Sequence, residues 1–114
     1  MKDIKEIKER FLKDSAALRL GNLAANLSRI VSFSDNPKNC KIIESIIDES
    51  EHFIEWSASD FELQIQSDLV ALQIKLALWH RQWQKIIIDN KRLAEMRSEA
   101  KKASQRLLEL AGIL

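Results

Sequence analysis

Between Leu63 and Ile88 the chain runs for 26 residues without a glycine or a proline. Within and just before that run, Phe61, Ile65, Leu69, Leu72, Leu76, Trp79, Trp83 and Ile86 recur at spacings of three and four, which places them on one face of an α-helix. That face is predicted core. A second apolar set, Leu63, Val70, Ile74, Ala77 and Ile88, lies roughly 120–180° away around the same helix. A helix apolar on two sides calls for burial on both. It is therefore expected to be central, packed on the chain's own helices through its Trp79 side and covered on its back by a further helix or a second subunit.

The rest of the pattern is also helical. Ile4, Ile7, Phe11 and Leu18 make one stripe, and Leu12, Ala16, Leu20, Leu23, Leu27 and Ile30 make another on nearly the opposite side of a continuous helix. Either the helix is buried twice or the chain breaks at Asp14-Ser15, both good N-cap residues. A break is favoured, because a short N-terminal helix could then fold back and bury Phe11. Ala17, Gly21, Ala24, Ala25 and Ser28 form a row of small residues that lets another helix approach closely. A glycine inside a helix costs up to about 1 kcal/mol, which suggests a packing reason for Gly21.

Ser34-Asp35-Asn36-Pro37 is the clearest boundary, since the residue before proline leaves the helical region and proline suits a first helical turn. The next helix is predicted over Pro37–Ser57. Cys40, Ile43, Ile47, Ile54 and Ala58 form its core face, widened by Ile42, Ile46 and Phe53, with Glu44, Asp48, Glu51, His52 and Glu55 outside. Ser59 or Asp60 can cap the helix that follows. Asp89-Asn90-Lys91 is the one plausible later break. Beyond it Leu93, Met96, Ala100, Ala103, Leu107 and Leu110 mark an amphipathic helix ended by Gly112. If the chain folds back at Asn90 the result is a four-helix bundle; if not, a helix of about 75 Å must find another chain.

The run Arg19-Leu20-Gly21-Asn22-Leu23-Ala24-Ala25-Asn26-Leu27-Ser28-Arg29-Ile30, together with Phe53-Ile54-Glu55-Trp56 and Leu76-Ala77-Leu78-Trp79, resembles a set of small cyanobacterial helical proteins of unassigned function. The resemblance implies a cytoplasmic, chiefly helical protein and brings no catalytic residues with it.

Composition agrees with the periodicity. A chain of 114 residues is one domain's worth, and two glycines, one proline and no tyrosine leave little for turns and strands. Eighteen basic against seventeen acidic residues generate no global field to attract nucleic acid or membrane. Locally, Pro37 to Glu62 carries two lysines and seven acids, a balance of −5, between segments that are net basic. The acidic helix is expected to face basic neighbours within the bundle or across a dimer. Cys40 is alone, so no disulfide framework or paired-cysteine metal motif exists. Charged residues directly after Met1 do not resemble a signal peptide, and no run reaches the roughly 18 apolar residues of a membrane span. A cytoplasmic location is expected.

Candidate chemistry is thin. Glu49 and His52 have the Glu-x-x-His spacing of di-iron bundles, but such a centre needs a second pair and two more glutamates. His80 lacks the small residue and lysine that follow a phosphate-accepting histidine, and sits at the edge of the core stripe as a hydrogen-bonded boundary residue. Cys40 lies on a core face, where cysteine behaves as a small hydrophobe. Lys91, Arg92, Arg97, Lys101, Lys102 and Arg106 make the last helix basic, yet Glu95, Glu99 and Glu109 interrupt it as surface pairs would. Trp79 and Trp83 belong to the core stripe. Trp56 falls off the core centre, able either to cover the bundle end or to anchor a partner.

These patterns predict an all-α antiparallel bundle of three to four long helices, with a short N-terminal helix if the chain breaks at Asp14-Ser15, in one domain over residues 1–114. The function expected is a non-enzymatic interaction or adaptor protein that self-associates, without cofactor or metal, using Trp56, Val70, Ile74 and Ala77 for contact. A small-molecule pocket near Gly21 and Trp79, or weak nucleic-acid binding through the basic last helix, are the alternatives.

Overall fold

Asp3, Ser15 and Asp89 each cap a helix with a side-chain oxygen, and Pro37 opens the turn that leads into another. The computed structural model describes residues 3–112. Asp3 caps α1 (Ile4–Lys13) by accepting from the Lys5 N–H at 3.0 Å. Ser15 caps α2 (Ala16–Phe33) by accepting from the Leu18 N–H at 3.2 Å. The break at Asp14-Ser15 turns the first stripe inward, so Ile7 and Phe11 are buried while Leu18 is exposed.

After Ser34, Pro37–Asn39 forms a single 3₁₀ turn, and α3 runs from Cys40 to Ser57. Ile43, Ile47, Phe53 and Ile54 of α3 are buried, Cys40, Ile46 and Ala58 half-buried. Ile42 does not widen the core as expected: its side chain points to solvent. A second 3₁₀ turn, Ala58–Asp60, leads to α4 (Leu63–Arg81). Neither Ser59 nor Asp60 caps α4. The N-cap is Glu62, whose side chain makes no capping bond, because the intervening turn engages Asp60 elsewhere: Arg19 Nη1 donates to its Oδ2 at 3.0 Å.

The stretch read as one helix to Ile88 is interrupted. α4 stops at Arg81, Gln82 leaves helical geometry, and Trp83–Ile86 forms the one-turn α5. No glycine or proline causes this. Trp83 is 1% exposed, and its indole Nε1–H donates to the Cys40 carbonyl of α3 at 3.1 Å, so packing against the start of α3 holds the offset. Asp89 then caps α6 (Asn90–Leu110), its Oδ1 accepting from the Lys91 and Arg92 N–H groups. The chain thus folds back at Asn90. Principal extents of 37 × 29 × 21 Å leave no room for a straight helix of about 75 Å. At the far end Gly112 adopts φ +76°, the left-handed residue that closes many helices.

The four long helices form an antiparallel bundle in which α2 and α4 are diagonal, as are α3 and α6. Pairings show the sense: Asn26 of α2 bonds Ser50 of α3, Gln73 of α4 bonds Glu51 of α3, and Asp68 of α4 pairs with Arg106 of α6. The most extensive helix contact is between α2 and α6, and Ala24 and Ser28 of the predicted small-residue row lie in it. Ala24 and Ala100 are buried there, and Ser104 Oγ donates to the Ala24 backbone carbonyl at 2.9 Å. Its one proton being so used, the Ser28 hydroxyl donates to Ser104 Oγ, also at 2.9 Å. A serine that reaches a neighbouring helix's backbone requires closely approaching axes. α1 lies across α3, with the Phe11 and Phe53 rings stacked at 4.1 Å.

Candidate interaction surface

All eight residues of the Phe61–Ile86 stripe pack into the core, Ile65 half-buried and the rest buried. The opposite side of α4 does not. Leu63 is 81% exposed, Val70 55% and Ile74 66%, with Ala77 half-buried beside them. The helix is central in sequence and yet its back is bare: α3 and α6 flank it, and no further helix of the described residues crosses over. Ile88 leaves this set, since the break at Gln82 moves it into the turn before α6, where it is 82% exposed on its own.

From Leu63 to Ala77 the exposed stripe is also free of charge. At spacings of four, three, four, three and four, Leu63, Ser67, Val70, Ile74, Ala77 and Arg81 share one line along α4. Asp68 and Lys75 point away from it toward α6, where Arg106 Nη2 meets Asp68 at 3.1 Å and Lys75 meets Glu99. The Lys75 ammonium, and less strongly Lys102, hold the Glu99 carboxyl below its ordinary range; Asp68 raises Arg106 further above its already high value. On the other flank His80 Nδ1 lies 2.7 Å from Glu51 Oε1 of α3. Gln73 donates to the Glu51 carbonyl at 3.2 Å, and its own Oε1 is buried without a hydrogen-bond partner.

Trp56 is engaged inside the chain. It is half-buried, its ring stacked on His52 at 5.3 Å and tilted against Phe11 and Phe53 at 6.1 Å, with Lys8 Nζ 5.9 Å from its centroid. α1 therefore covers much of the residue that the sequence offered as a partner anchor. Trp56 and the α4 stripe are not brought together: one belongs to the α1–α3 aromatic cluster, the other to the outer side of α4.

Groups with chemical potential are dispersed. A histidine held by a carboxylate can serve as a general base, but no nucleophilic side chain is hydrogen-bonded to His80 among the described residues. The pair ties α3 to α4. His52 lies near Asp48 and Glu55 at 3.7 and 3.8 Å on the surface of α3, and among the described residues no three His, Cys, Asp or Glu side chains converge as a metal site. A cavity of about 420 Å³ near Cys40 and Trp83 opens at the α3–α6 end. A groove of about 550 Å³ between α4 and α6 is lined by Trp79, Ile86 and Met96 but not by Gly21, so the two residues expected to share a ligand pocket are apart. On α6, Arg97 and Arg106 are bound to Asp35 and Asp68, the former at 2.7 Å.

Sequence reasoning missed several buried polar residues, Asn26 and Ser50 the most deeply placed. Asn26 is 1% and Ser50 0% exposed. Asn26 donates to Ser50 Oγ and to Glu49, both at 3.3 Å, and accepts from Arg29 at 3.1 Å. Its position between Leu23, Leu27 and Ile30 was a usable signal for burial. No helix of the described residues is long and apolar enough to cross a membrane. No family model, curated protein or solved structure matches this chain.

Proposed function

We propose that this chain is a non-enzymatic cytoplasmic interaction or adaptor protein that associates with itself, and that the outer side of α4 is its contact surface. The observation that carries the reading is the bare, uncharged stripe of Leu63, Val70 and Ile74 on a helix whose opposite face is fully committed to the core. Scattered exposed hydrophobics are ordinary on any protein surface; a continuous line of them along one helix is a recurrent mark of association. Sedimentation equilibrium of the wild type and of Ile74→Glu tests it. The wild type is expected to self-associate and the variant to be monomeric with unchanged helix content. A wild type that stays monomeric at high micromolar concentration would overturn self-association through this face.

A further inference from the structure

If α4 is the contact face, its geometry also specifies the partner's orientation. We infer that two copies of this chain pair α4 against α4 antiparallel about a two-fold axis, with Val70 of each opposite Ile74 of the other. This rests on the proposed role of the α4 face.

Spacings of four and three along Leu63, Ser67, Val70, Ile74, Ala77 and Arg81 are those of alternating d and a positions in a heptad. In an antiparallel pair each layer joins an a residue to a d residue of the other helix. Centred between Val70 and Ile74, all six positions find a partner: Val70 faces Ile74, Ser67 faces Ala77, and Leu63 faces Arg81. The two central layers are branched and apolar and the Ser67–Ala77 layers beside them are small, so the helices can close on Val70 and Ile74. At each end the aliphatic stem of Arg81 can cover Leu63, which is more exposed than Val70 or Ile74.

Charge supplies the independent observation. Glu62 and Arg81 bracket the neutral stripe, both exposed, and among the described residues neither forms an ion pair. The other α4 charges, Asp68 and Lys75, are already occupied by α6. In the antiparallel register Glu62 of one copy falls beside Arg81 of the other, and the symmetry makes this happen twice. A parallel pair would instead bring Arg81 against Arg81 and Glu62 against Glu62. Antiparallel helices also align their dipoles favourably. A seam one helix wide and about 28 Å long lies at the small end of specific interfaces, so dissociation in the micromolar range is expected.

Cysteine pairing and charge exchange test the register. In a Cys40→Ser background, Ser67→Cys and Ala77→Cys are oxidised with copper phenanthroline, separately and mixed. Disulfide-linked dimers are expected only in the mixture, because position 67 faces position 77. In sedimentation, Glu62→Arg and Arg81→Glu should each weaken association by about threefold to thirtyfold, as rim charges do when attraction becomes repulsion at two sites. The double exchange should return to within about threefold of wild type. Linkage of either single-cysteine variant with itself would overturn the antiparallel arrangement. If no combination links while Ile74→Glu still dissociates a wild-type dimer, the register is wrong and the contact face stands. A monomeric wild type would overturn both.

Discussion

Replacing Phe11 by alanine should detach α1 without unfolding the bundle. Only Ile7 and Phe11 of α1 are buried, so the helix is held by two apolar anchors and by Arg19, which donates to the Leu12 and Asp14 carbonyls at 2.7 and 3.1 Å. Phe11 is 4% exposed, stacked on Phe53 at 4.1 Å and tilted over Trp56 at 6.1 Å. Truncating a buried phenylalanine costs about 3–5 kcal/mol when the cavity persists. Ile7 alone returns about 1.5–3 kcal/mol on burial, so without Phe11 the helix keeps only the smaller of its two anchors. The least costly response is therefore for α1 to leave. Hydrogen exchange with mass spectrometry reads this directly: amides of Glu6 to Lys13 should lose protection in Phe11→Ala while those of α2 and α6 keep theirs. Were the full cost shared by the whole protein, 3 kcal/mol would lower the melting temperature by about 12 °C, at ~2 cal/mol/K per residue. A shift under half of that is expected for the main transition. Wild-type protection across α1 in the variant would refute Phe11 as the anchor, and a full 12 °C shift with uniform deprotection would refute the independence of α1.

Two further perturbations probe the bundle and its surface. At the α2–α6 crossing, Ser104→Ala should cost about 1 kcal/mol for the lost bond to the Ala24 carbonyl, and Ser104→Leu about 2–3 kcal/mol more through overpacking; urea unfolding that finds the leucine variant as stable as wild type would show the helices are not in close contact. The lowered Glu99 carboxyl gives a stabilising contribution that is present above the ordinary glutamate range and lost as pH falls through that range to the folded value. Both partners are nearly half exposed, so wild type should exceed Glu99→Gln by less than about 1 kcal/mol at pH 7. The gap should narrow as pH falls below the ordinary glutamate range and shrink in high salt, and a gap that grew on acidification would contradict the Lys75 pairing.

What the chain determined by itself was whatever depends on near neighbours. Periodicities of three and four set the buried face of α4, the Asp14-Ser15 and Asn36-Pro37 boundaries carried their own caps, and Gly112 marked the end of α6. These are short-range effects, written in residues a few positions apart. Tertiary structure decided the rest. The interruption at Gln82 has no local cause and follows from Trp83 reaching the Cys40 carbonyl, 43 residues away. The fold-back at Asn90 was an alternative until packing chose it, and Asp60 was lost as a cap because Arg19 took it. The second apolar side of α4 could be read from spacing, but only the assembled bundle shows that α3 and α6 flank it without covering it. Trp56 shows the converse: its helix position left open whether it covers the bundle end or anchors a partner, and α1, folding back to bury Phe11, placed it in an aromatic cluster. A wheel tells which residues share a side; only the packed chain tells which sides are left for another molecule.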